Sequence, residues 1–128
     1  MTRTVLIVDD SKLARIVLAK AIAGPQPGWT RLEAGDAEAA VATCDRQAVD
    51  VAIIDFNMPR RNGLALASEL RDRFPDMPLA LATANIQDDV ISEASAINVA
   101  FIPKPVTQDG MRGFISGTAL RLDRQLSR

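Results

Sequence analysis

The chain has 128 residues, with 15 Lys plus Arg against 16 Asp plus Glu, no His and a formal charge of −1. That length suits one domain with a substantial core, and the balanced charge excludes nucleic-acid binding driven by a strongly basic surface. The single Cys44 excludes an internal disulfide framework and paired metal thiolates, and the absence of His leaves it no imidazole partner for nucleophilic catalysis.

Thr4–Val8 reads as a buried first strand. Its apolar run meets Asp9 too soon for a signal-peptide core, and no other stretch approaches the roughly 20 apolar residues that cross a bilayer. The expectation is a cytoplasmic protein without membrane insertion. Ser11 is placed to cap a helix whose apolar face is read as Leu13, Ile16, Val17 and Ala21. The Gly24–Gly28 segment, with Pro25 and Pro27, stops it.

Thr30–Ala34 predicts a second strand, with Trp29 just before it, and Ala37–Arg46 a second helix with Ala40, Val41 and Cys44 turned inward. Cys44 is therefore assigned to the core. Val49–Ile54 is the strongest middle strand, followed by a loop from Met58 to Gly63 and a helix over Leu64–Arg73 that packs through Leu66 and Leu70. Phe74–Pro78 punctuates the chain before strand four, Leu79–Thr83.

Asp88–Ala96 predicts a fourth helix and Val99–Ile102 a fifth strand. Gln108–Leu126 reads as the last helix, its apolar surface made by Met111, Phe114 or Ile115, Leu122 and Leu126. Gly110, Gly113 and Gly117 fall inside it at a cost of roughly 1 kcal/mol each relative to alanine, which points to close packing, fraying or a partner interface. Arg71, Arg73, Arg121, Arg124 and Arg128 are read as solvated charges.

Five strand-to-helix units without an evident linker predict an α/β fold: a doubly wound, five-stranded parallel sheet flanked by five helices, flavodoxin-like, spanning 1–128 as a single domain. A strand order of 2-1-3-4-5 would gather Asp9, Asp10 and Asp55 at the switch point of the sheet. Three carboxylates in one cleft repel one another, and a hard divalent cation relieves that repulsion while orienting phosphate oxygens. Mg²⁺ is the candidate, with Asp9, Asp10, Asp55 and the backbone carbonyl of Asn57 as ligands. Asp55, ending a central strand, is the candidate nucleophile toward phosphorus. Lys104 is placed to neutralise a phosphoryl oxygen, and Thr83 to offer it a hydroxyl.

Asp9-Asp10, Asp55-Phe56-Asn57-Met58-Pro59, Gly63, Thr83-Ala84 and Lys104-Pro105 together closely resemble the receiver domain of bacterial two-component response regulators, in its stand-alone, chemotaxis-regulator-like form. The likeness runs from the first strand to the final helix. It implies phosphorylation of Asp55 with Mg²⁺ by a histidine kinase or histidine phosphotransfer protein, and a downstream protein target. It also implies a switch through Thr83 and Phe101, the latter standing where the family often has tyrosine, and a cis bond before Pro105. The domain acts on itself and is not a conventional enzyme. A monomer or weak dimer is expected, without direct nucleic-acid contact.

Arg60 and Arg61 stand where the family often has a small residue and an acid, and they are read either as donor-docking charges or as solvent-exposed ones. Asn57 and Asn85 lie where they would influence water access to the acyl phosphate. Three alternatives accompany the resemblance: the receiver portion of a longer DNA-binding regulator or hybrid kinase, a phosphorylation-independent scaffold, and a Mg²⁺-dependent aspartyl phosphatase. The last commonly needs an acid two positions after its nucleophile, where this chain has Asn57.

Overall fold

The computed structural model describes residues 3–84 and 87–126, without the side chains of residues 125 and 126. The assignments made to Asn85, to Arg128 and to the Leu126 side chain lie outside the described residues. Five strands, β1 (Thr4–Val8), β2 (Thr30–Ala34), β3 (Val51–Asp55), β4 (Leu79–Thr83) and β5 (Ala100–Pro103), alternate with five helices. These are α1 (Lys12–Ala23), α2 (Ala37–Arg46), α3 (Gly63–Arg73), α4 (Asp88–Ala96) and α5 (Gln108–Leu126). The strands form one parallel sheet in the order β2-β1-β3-β4-β5, as predicted.

β3 and β4 are buried along their whole length, which is why they read as continuous apolar runs instead of an alternation. Two clusters pack on the two faces of the sheet. Leu6, Ile54, Leu66, Leu70 and Leu81 belong to the one that takes in α2 and α3, while Val5, Ile7, Leu18, Ile22, Ile53 and Ile115 belong to the one that takes in α1 and α5. Cys44 is a core residue, and burial pushes its thiol up to about 11. Trp29 is buried at the amino-terminal edge of the sheet, where Thr30 pairs with Thr4, at the opposite end of the strands from Asp55.

The helix caps follow side-chain chemistry. The Ser11 hydroxyl, the Asp36 carboxylate and the Asn62 amide oxygen accept the N–H groups of Ala14, Ala39 and Ala65, at 3.2, 2.7 and 2.9 Å. β3 begins at Val51 and not at Val49; just before it the Asp50 N–H donates to the Thr4 carbonyl at 2.9 Å, and the Asp50 carboxylate accepts the Thr4 N–H at 2.8 Å. Within α5, Ile115 is fully buried and Phe114 only partly.

Two readings are corrected. The buried face of α1 is Leu18, Ala21 and Ile22, while Leu13, Ile16 and Val17 are exposed at 72%, 39% and 47%. Arg71 is not a solvated charge. Its guanidinium donates to the carbonyls of Pro75, Met77, Ile97 and Asn98 at 2.9, 2.6, 2.8 and 3.0 Å, tying α3 to the turns that precede β4 and β5. Gly113 and Gly117 line an open groove of about 460 Å³ beside Val99 and Ala100, and a Cβ on either would touch nothing within 4 Å, so close packing does not explain them. No helix among the described residues is long and apolar enough to cross a membrane.

Candidate functional site

β1 and β3 are neighbours, so their carboxyl ends deliver three acids to one edge of the sheet. One carboxylate oxygen from each of Asp9, Asp10 and Asp55 lies within 4.8 Å of the other two. Asp9 and Asp55 are buried, and Asp10 is exposed. On the far side of β3, Lys104 follows β5, and its backbone N–H donates to the Thr83 carbonyl at 3.0 Å, joining the ends of β4 and β5. The Lys104 ammonium then reaches back to donate to Asp55 Oδ1 at 2.8 Å and stands 3.5 Å from Asp9 Oδ2. The Lys104–Pro105 bond is cis.

The two partners of this contact shift for different reasons. Burial holds the Asp55 carboxyl above its usual range, and the Asp9 charge adds to that, outweighing the hydrogen bonds from Lys104 and the Asn57 N–H. Burial alone would lower Lys104, but two facing carboxylates raise it instead. The cluster therefore holds more negative charge than one lysine neutralises.

Asp9 shows the same deficit in its hydrogen bonding. Its Oδ1 accepts the Ser11 N–H at 2.9 Å, whereas the buried Oδ2 has no hydrogen-bond partner among the described residues and meets only the longer ion pair. A buried, under-satisfied carboxylate oxygen facing two further carboxylates is a donor set of the hard-oxygen kind that suits Mg²⁺.

Thr83 is buried one residue beyond Ala82, the partner of Asp55 in the β3–β4 register. Phe101 pairs with Leu81, and Pro103 with Thr83, so alternation along the strands puts Phe101 and Thr83 on the same face of the sheet. Phe101 is half-buried against the α2–α3 side cluster. Arg61 is engaged within the molecule, donating to Glu69 at 2.6 Å, and Arg60 is exposed with a φ of 70°.

One contact at the site had no signal along the chain. Arg15, in the first turns of α1, donates to the main-chain carbonyl of Asp9 at 2.7 Å and to the Glu33 carboxylate at 2.9 Å. Only the adjacency of β1 and β2 brings these groups together.

The profile of the response regulator receiver domain family matches residues 5–116. This chain belongs to that family. It is a phosphoacceptor signalling domain with a clustered aspartate triad, and its chemistry is the gain and loss of a phosphoryl group on itself, which sets the phosphatase alternative aside. A probable transcriptional regulatory protein, TcrX of Mycobacterium tuberculosis, is 33% identical over 103 residues, covering 80% of this chain and 43% of that protein. The chain spans half or less of the length of the first curated relatives it matches.

Among solved structures, Vibrio cholerae chemotaxis protein CheY4 superposes with a TM-score of 0.83 at 22% identity, over 92% of this chain and 99% of that one. Thermotoga maritima response regulator TrrA, in complex with Mg²⁺-BeF, superposes with a TM-score of 0.80 at 23% identity, over 91% and 98%. At those identities the two structures speak to the fold.

Proposed function

We propose that this receiver domain takes a phosphoryl group onto Asp55 from a phosphohistidine donor, a histidine kinase or a histidine phosphotransfer protein, and passes the signal to a protein target. The observation that carries this reading is the under-compensated aspartate triad with Lys104 aimed at Asp55. Asp9, Asp10, Asp55 and the Asn57 carbonyl are the ligands for Mg²⁺, which when bound supplies the positive charge that gathers phosphoryl oxygens. A relative of the same fold was crystallised with Mg²⁺-BeF, in keeping with such a site.

A carboxylate oxygen of Asp55 attacks the donor phosphorus as the P–N bond breaks, and the imidazole keeps the bonding pair. Lys104 leaves its contact with Asp55 Oδ1 to hold a phosphoryl oxygen. The Thr83 hydroxyl takes another, and Phe101, on the same face, follows Thr83 inward and reshapes the surface around α4, β5 and α5. Attack of water at phosphorus restores the carboxylate.

The donor docks on the exposed face of α1. A largely apolar hollow of about 320 Å³, lined by Leu13, Val17 and Val106 together with Asp9 and Lys104, puts that face against the acceptor site. A cytoplasmic location accords with a single, buried thiol.

The deciding experiment combines intact mass and backbone NMR, with Mg²⁺, before and after acetyl phosphate, on native protein and Asp55→Asn. Gain of one phosphoryl group in native protein alone, with shifts at Thr83 and Phe101, is the expected result. Equal phosphorylation of Asp55→Asn would move the acceptor elsewhere.

A further inference from the structure

Each polar group of Asp9 has a distinct tie. Its N–H donates to the Ala34 carbonyl at 3.1 Å, Oδ1 accepts from Ser11, Oδ2 faces Lys104, and the carbonyl accepts from Arg15 at 2.7 Å. The carbonyl belongs to the peptide plane that joins Asp9 to Asp10. The Asp10 side chain is exposed and makes no hydrogen bond or ion pair with the described residues, so its carboxylate is placed by the backbone that carries it and by its own two side-chain torsions, with no described neighbour to hold it.

Arg15 is itself held. Its side chain is 18% exposed, and Nε donates to Glu33 of β2 at 2.9 Å while Nη1 donates to Asp9. A planar guanidinium offers two fixed donors to two acceptors at once, which a lysine ammonium on a flexible stem does not reproduce. Because the Arg15 and Glu33 charges cancel to first order, the pair acts through geometry more than through its field.

We propose that Arg15 is a positioning residue of the metal site: anchored on Glu33, it fixes the Asp9–Asp10 peptide and thereby aims the Asp10 carboxylate at the ion shared with Asp9 and Asp55. The inference rests on the Mg²⁺ reading given above.

The test is an NMR titration with Mg²⁺ alone, read at the Asp10 and Ser11 amides. It is paired with initial rates from acetyl phosphate across a range of Mg²⁺, for native protein, Arg15→Gln, Arg15→Lys, Glu33→Gln and the distant control Arg73→Gln. Loss of a group that orients a ligand typically weakens metal binding by about tenfold. Arg15→Gln is therefore expected to raise the Mg²⁺ half-saturation about tenfold, with the maximal rate recovered at saturating Mg²⁺. Arg15→Lys restores part of the loss, Glu33→Gln shows a smaller rise, and Arg73→Gln none.

A native half-saturation retained in Arg15→Gln overturns the proposal, as does a lost maximal rate that no Mg²⁺ concentration restores. If Arg15→Gln does not fold, Glu33→Gln decides, and a native constant there overturns it. A native protein without Mg²⁺-dependent shifts overturns the metal reading together with this inference, whereas a normal native titration beside unaltered variants overturns the role of Arg15 alone.

Discussion

Gly63 lies against the main chain of Asp55: a Cβ built on the glycine would stand 2.9 Å from the Asp55 carbonyl carbon and 2.9 Å from Phe56 Cα, and closer still to the Asp55 oxygen. The Gly63 N–H also donates to the Phe56 carbonyl at 2.8 Å, so the first residue of α3 is seated directly on the loop that carries the acceptor. These neighbours are backbone atoms and cannot rotate away. Gly63→Ala is expected to cost about 3 kcal/mol, at the upper end of ordinary overpacking, and to lower the thermal midpoint by roughly 10 °C. The folded fraction should accept phosphate from acetyl phosphate more slowly, because the Asp55 main chain must shift. An unchanged midpoint in a thermal melt would show that the loop absorbs a methyl group freely.

The electrostatics of Asp55 make a second prediction. A carboxyl whose folded pKa lies above its unfolded value favours folding below the unfolded value, and loses that contribution as pH rises through the folded one. At neutral pH the ionised Asp55 is therefore a burden on the fold, with burial as the largest cause. Asp55→Asn should melt a few degrees higher than native protein at neutral pH, and the gap should close on acidification through the carboxylate range. Lys104 keeps Asp9 as a partner in that variant, 3.5 Å away. Melts at several pH values check this, and a gap that widens toward low pH would contradict it.

Arg71 carries a third prediction. Replacing it by Gln withdraws donors from four carbonyls in two turns, and leaving such acceptors short in a half-buried setting costs about 2–3 kcal/mol. Amide exchange should quicken first at Asn98 and Val99, whose N–H groups bond back to Ser95 and Ala94 at the end of α4. Uniform quickening across the sheet would mean that the clasp has no local role.

How much of this was legible before folding depended on the range of the interaction. The strand order that gathers Asp9, Asp10 and Asp55 is carried by no single run and rests on the doubly wound fold class, whereas the five strands, and the positions of those acids at strand ends, follow from apolar runs that each end in a polar residue, a signal carried within a few positions. Ser11 was readable as a cap for the same reason. The face of α1 was not. The helix has apolar residues on both sides, with Leu13, Ile16 and Val17 on one and Leu18, Ala21 and Ile22 on the other, so a 3.6-residue period alone cannot say which side meets the sheet. Arg71 and Arg15 were invisible because Ile97, Asn98 and Glu33 are distant in sequence, the nearer acceptors Pro75, Met77 and Asp9 are main-chain carbonyls that leave no side-chain signal, and a guanidinium looks the same in a chain whether it meets water or a carbonyl.

The exposed side of α1 makes the last prediction. Leu13 is 72% exposed and Val17 47%, yet both line the apolar hollow that opens beside Asp9 and Lys104. Apolar groups left in water next to a reactive carboxylate gain by burial against a protein donor, at about 25 cal/mol per Å² covered. Substituting an exposed side chain moves stability by no more than about 0.5 kcal/mol, so Leu13→Asp should fold normally. It should accept phosphate from acetyl phosphate at the native rate, since that small donor needs no docking surface. Transfer from a phosphohistidine protein donor should fall by about tenfold or more, the equivalent of roughly 1.4 kcal/mol of lost contact. Equal rates from the protein donor would place docking on another face, and a parallel loss with acetyl phosphate would instead assign Leu13 a role in shaping the acceptor site.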